Sequence, residues 1–145
     1  MAAAFVLTLV DFENGTDMVK VAAFDPEDLL VISAHLEGAR VRASDMVYLP
    51  KERRFVLAMD RPVAGGASER RQTGLHFERV TRAMTSKMPA GSPDAVLNLI
   101  GIGFEPVDAP SGHVVLLFEG GSAVRLTVEC LEAAMADLAP DHSKE

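Results

Sequence analysis

Residues 111–138, SGHVVLLFEGGSAVRLTVECLEAAMADL, carry the two periodicities from which a fold can be argued. Val124, Leu126, Val128 and Cys130 alternate with the polar Arg125, Thr127 and Glu129. Successive strand side chains point to opposite faces, so 124–130 reads as a strand with one buried and one wet face. Upstream, 114–118 is an unbroken apolar run, as in a strand buried on both faces or lying under another element. Glu119-Gly120-Gly121-Ser122 separates the two runs, and the glycine pair supplies the positive φ angles of a tight hairpin turn. The period then changes. Leu131, Ala134, Met135 and Leu138 are spaced as on one face of a helix, with Glu132 and Asp137 outward and Pro140 as the stop. So short a helix is marginal alone in water, so it is expected to pack on the sheet over Leu126 and Val128.

The same signals extend upstream. Residues 5–10 and 18–24 read as strands about a turn at Asn14-Gly15, and 1–17 form an extension whose place in the fold the sequence leaves open. Asp25-Pro26-Glu27-Asp28 opens a helix: Asp25 caps the free amides, Pro26 suits the first turn and the acids suit the positive helix end. Leu29, Ile32 and Leu36 give that helix one apolar face, and Gly38 closes it. Residues 41–49 read as one strand or two, bent near Ser44-Asp45, and 46–49 should pair with 55–59 across Pro50-Lys51-Glu52-Arg53. Residues 62–68, PVAGGAS, read as a flexible loop. Residues 74–84 read as a longer strand whose phase slips at Arg79-Val80, where a bulge would absorb one residue. Residues 95–104 read as a strand with Val96, Ile100 and Ile102 on one face; Gly101 and Gly103 leave the other bare. Residues 139–145 read as a frayed tail. The sum is a single α+β domain: a mostly antiparallel curled sheet or partial barrel with two short helices, the C-terminal one packed on the sheet in a pleckstrin-homology-like manner.

The 145 residues suffice for one real core, and 48% hydrophobic with 24% charged residues is ordinary for a globular chain. A formal net charge of -7 argues against a nucleic-acid-binding composition overall. One cysteine cannot form an internal disulfide, which suits a reducing compartment. The start lacks a positive n-region, and no apolar run approaches the roughly 18 residues of a bilayer span. A cytoplasmic protein without a membrane partner is expected. Charge is uneven: 40–82 hold ten Lys or Arg against five Asp or Glu, a net of +5, which leaves −12 for the remainder of the -7 total.

No catalytic, cofactor-binding or metal-binding residues stand out, and no cofactor is expected. His35, His76, His113 and His142 have no ligand partners at metal-site spacing and read as scattered surface histidines. Cys130, in phase with Val124, Leu126 and Val128, reads as a small buried hydrophobe rather than a nucleophile. Nucleophile-elbow, phosphate-loop and dinucleotide fingerprints are absent. The candidate binding patch is Lys51, Arg53 and Arg54 at a hairpin tip with Arg70 and Arg71, which could converge if their strands are neighbours. Such a patch could hold an acidic protein, a phosphate or an RNA backbone. The competing reading is a solvated hairpin edge where charge discourages pairing. Aromatics for base stacking are scarce: 6%, no Trp, with Tyr48 and Phe55 alone beside the cluster. If the chain is an enzyme, His76, Glu78 and Arg79 on one strand are the first candidates.

The strings DPEDLLVISAHLEGA, DMVYLPKERRFVLAMDR, GLHFERV and APSGHVVLLFEGGSAVRLTVECLEAAMADL resemble the uncharacterised family labelled domain of unknown function 2948, found mainly in alphaproteobacteria. The resemblance spans about 19–138 and excludes the first seventeen residues. It implies a small cytoplasmic bacterial protein and supplies no catalytic residues. The expected function is a non-enzymatic protein-binding or adaptor module, with a binder of RNA or a phosphorylated ligand through 51–71, or an enzyme with an unrecognised site, as alternatives.

Overall fold

A computed structural model of the chain describes residues 18–63, 66–89 and 91–138. The expected strand at 5–10, the turn after it and the C-terminal tail lie outside the described residues.

Ten strands and one α-helix make up the described chain. They are β1 (Lys20–Ala23), α1 (Pro26–Leu36), β2 (Arg40–Arg42), β3 (Met46–Leu49), β4 (Arg54–Val63), β5 (Gly66–Phe77), β6 (Val80–Ser86), β7 (Val96–Pro106), β8 (Gly112–Phe118), β9 (Ala123–Val128) and β10 (Ala133–Asp137). The strands form one antiparallel sheet in the order β1-β10-β5-β4-β2-β7-β8-β9-β6, with β3 also on β4. β1 and β6 end that order unpaired with each other, so the sheet curls without closing.

The β8–β9 hairpin forms as its sequence dictates. Leu117 faces Ala123 across the turn, and Gly120 and Gly121 take φ of 85° and 93°. The α1 start is equally literal: the Asp25 carboxylate accepts from the Asp28 amide at 2.8 Å, and Gly38 has φ of 86°. α1 buries Leu29, Ile32 and Leu36 and lies against β1, β4 and β7. Ser33 Oγ accepts from the Ile102 amide at 2.9 Å, so the helix also covers the β7 edge that β2 leaves open.

The second expected helix is absent. Residues 133–137 are strand β10, inserted between β1 and β5, with Met135 opposite Leu75 and Val21. The pleckstrin-homology-like likeness falls with that helix. The phase slip at Arg79-Val80 is larger than a bulge. The chain turns through Glu78 and Arg79 from β5 into β6, beside the connection that carries β9 into β10. The Glu78 amide donates to Glu132 at 2.9 Å and the Glu129 amide to Arg79 at 3.0 Å, stitching the two connections together. A register shift does follow between Val80 and Arg82. The loop expected over 62–68 is mostly strand, since β4 runs to Val63 and β5 starts at Gly66. In β7 an irregularity between Leu99 and Gly101 reverses the phase, so Leu97, Leu99 and Ile102 are buried while Val96 and Ile100 are exposed. Cys130 lies beyond β9 and is half-buried; Leu131 takes the buried place instead.

Both halves of the sheet contribute to one buried cluster: Leu57, Leu75, Phe77 and Met135 from one, Leu99, Leu116, Phe118 and Leu126 from the other.

Candidate functional site

The strand register defines the solvent-facing side of β1, β10, β5, β4 and β3. Across it run two rows: Val47, Val56, His76, Ala134 and Ala22, then Ala58, Gly74, Ala136 and Lys20. Leu138, 48% exposed, follows β10 and leans over Gly74, where a β-carbon would meet its Cδ2 at 3.9 Å. An antiparallel sheet with one wet face normally places polar residues there. Here seven of the nine row positions are aliphatic or glycine, and four of them, Val56, Gly74, Ala134 and Ala136, line a shallow trough of about 270 Å³ together with His76 and Leu138.

Charge gathers at both ends of this trough. At one end Arg54 Nε donates to both Glu78 carboxylate oxygens, at 3.2 and 2.9 Å, and His76 Nδ1 lies 2.6 Å from Glu78 Oε2. Arg53 pairs with Glu129 at 2.9 Å and Arg79 with Glu132 at 3.5 Å. Arg53 and Arg79 both hold left-handed backbone, φ 53° and 61°, which L side chains adopt at a cost. This end is an open depression of about 410 Å³. At the other end Asp60 binds Arg40 at 3.3 Å and Arg70 at 3.0 Å beside Arg42 and Gln72, around about 460 Å³.

The five sequence candidates therefore divide. Arg54 pairs with Leu49 near the start of β4, whereas Arg70 pairs with Pro62 near its end, about 26 Å away at the rise of a strand. Lys51 and Arg53 stay with Arg54 at the tip. Arg71 stands opposite Arg61 and contacts Met18 Sδ at 3.7 Å. His76, Glu78 and Arg79 do join the tip cluster. Its depression is wide and open, and Glu78 is already held by Arg54 and His76. Among the described residues no three His, Cys, Asp or Glu group as a metal would need.

Sequence reasoning missed the apolar face itself. The available signal was the run of Ala and Gly where a wet strand face should be polar.

Beneath the face, Arg61 and Asp137 form a buried pair. Arg61 Nε donates to Asp137 Oδ1 at 2.9 Å and Nη2 to Oδ2 at 2.7 Å. Thr73 Oγ1 donates to Oδ1 at 2.8 Å and the Val19 amide to Oδ2 at 3.1 Å. Burial pushes the Asp137 pKa up, but hydrogen bonds from Arg61, Thr73 and Val19 and the Arg61 charge outweigh it and hold the pKa below the usual aspartate value. This pair ties β10 to β4, β5 and the entry to β1.

Among the described residues these features define a class: an unclosed antiparallel β protein with one helix across an open strand edge and an apolar face that no described element covers, between charged ends. The chain belongs to the family described as protein of unknown function (DUF2948), which it matches over residues 19–145. Comparison with curated proteins and with solved structures finds no match. No described helix is long and apolar enough to cross a membrane.

Proposed function

We propose that this protein is a non-enzymatic protein-binding or adaptor module, and that the outer side of β3, β4, β5, β10 and β1 is its docking face. The observation that carries the reading is the grid of Val47, Val56, Ala58, Gly74, Ala134, Ala136 and Leu138, which no described element covers. A contiguous apolar patch rimmed by polar groups marks an interaction surface. An apolar centre with a charged margin is the usual anatomy of a protein interface. The small side chains of the floor admit close approach by an apolar projection from the partner.

The rim favours a protein over RNA. Arg53, Arg54 and Arg79 already face Glu129, Glu78 and Glu132, so the surface offers both signs of charge rather than a cationic track. Lys51 and Lys20, which have no carboxylate partner among the described residues, leave room for carboxylates at the partner's margin, which suits an acidic protein.

Three baits test this: wild type, Ala136→Arg, and Arg53→Glu/Arg54→Glu. A partner captured by wild type should be lost with Ala136→Arg and weakened by the double substitution. The purified pair should protect the amides of 134–138 from exchange. Equal capture by all three baits, or protection elsewhere, overturns the reading.

A further inference from the structure

We propose that β6 is a docking edge for an extended acidic segment of a partner protein, which adds to the sheet as a further strand. This surface belongs to the other half of the sheet and stands independently of the face described above.

β6 ends the sheet order, so among the described residues one of its edges has no neighbouring strand. Among the described residues that edge is sealed only at its first residue. The Val80 amide donates to Arg53 at 2.9 Å, and Tyr48 Oη donates to the Val80 carbonyl at 3.0 Å. From Arg82 to Ser86, all but Ala83 are exposed, and pairing with β9 uses only every second residue's backbone groups. The remaining amides and carbonyls point outward, the template that an added strand requires.

Charge selects the occupant. Arg40, Arg53, Arg54, Arg61, Arg70 and Arg79 each have a carboxylate partner. Arg82, Lys87 and Arg125, which cluster on and beside β6, have none among the described residues. Arg125 Nη2 instead contacts Met84 Sδ at 4.0 Å. Met84 and Arg125 face each other across the ladder, and with Thr85, Ser86, Val115, Ala123 and one acid, the exposed Glu105, they line a shallow groove of about 340 Å³ beside the edge. An incoming strand with carboxylates on one side would meet these cations, while its apolar residues would reach Met84. Pairing of β6 with β6 of a second copy would instead bring six cations together, which like-charge repulsion opposes. Cations on an edge also guard against indiscriminate pairing. A guard repels every strand, whereas a recognition edge selects acidic ones, so the two roles separate by experiment.

The probe is a displayed library of random linear ten-residue peptides, selected on the full chain, followed by amide chemical-shift mapping with the most enriched peptide. Enriched sequences should alternate Asp or Glu with apolar residues and should shift the amides of 81–86 and 123–127. Binding should weaken at least tenfold with Arg82→Glu/Arg125→Glu, exposed substitutions that leave the backbone intact. Enrichment without acidic residues, shifts confined to other strands, equal binding by the double variant, or a concentration-dependent dimer through β6 with no peptide selected would overturn the proposal.

Discussion

Replacing Asp137 by Asn should destabilise the fold more than any single change at the surface. The side chain has no exposure and accepts four hydrogen bonds, two of them from Arg61, whose own side chain is 6% exposed. Asn keeps the shape but removes the charge, so a guanidinium stays buried without its counter-ion. Breaking one side of such a pair costs about 3–5 kcal/mol. Domains of this size are stable by only about 5–15 kcal/mol, so the variant should melt far below wild type. Urea unfolding at neutral pH measures the loss, with an unchanged slope showing that the denatured state is not the cause. The double replacement Arg61→Met/Asp137→Leu should recover most of the stability, because no charge is then stranded. The pH dependence has a fixed sign. The folded pKa of Asp137 lies below its unfolded value, so its contribution is present above about pH 4 and is lost as pH falls through the folded pKa. The gap between wild type and Asp137→Asn should therefore narrow on acidification. A loss under about 1 kcal/mol at neutral pH, or a gap that widens in acid, would refute the idea that this pair pins β10 into the sheet.

Two glycines of the same sheet should respond oppositely to alanine. A β-carbon at Gly112 would come within 2.5 Å of the Glu105 carbonyl oxygen and of Phe104 Cζ, so Gly112→Ala should cost about 1–3 kcal/mol, whereas Gly103→Ala meets nothing within 4 Å and should be neutral or mildly stabilising by thermal melt. Asp25→Ala should lose about 1 kcal/mol by removing the helix cap, measurable by the same melts. Arg79→Gly should hold or raise the melting temperature, because relief of the left-handed backbone, worth about 1 kcal/mol or more, exceeds an exposed 3.5 Å ion pair; a clear drop would show that the pair matters more than the strain.

The apolar face and the misread helix have one cause. In β10 the inner positions are Ala133, Met135 and Asp137 and the outer ones Ala134 and Ala136, with the exposed Leu138 just beyond. A wet strand should show polar residues outside and apolar ones inside. Here the outside is apolar and the inside ends on a buried charge, so the period-2 signal vanishes and the Leu131, Ala134, Met135, Leu138 spacing imitates a helix. The sequence pattern failed where the surface departs from an ordinary solvated sheet, and that departure is what recommends the face as a docking site.

What the chain's own residues determined was local. The capped helix at Asp25, the Gly120-Gly121 hairpin and the β3–β4 pairing follow from short-range backbone preferences, and each formed where its residues call for it. Family membership was equally legible in the long strings shared along the chain. Only the tertiary structure decided which strands became neighbours. It put 133–137 between β1 and β5, turned Glu78-Arg79 into a passage between the two halves, and sent Arg54 and Arg70 to opposite ends of the β4–β5 hairpin. Those outcomes depend on contacts between residues far apart in sequence, such as Arg61 with Asp137, whose energy exists only once both are buried together.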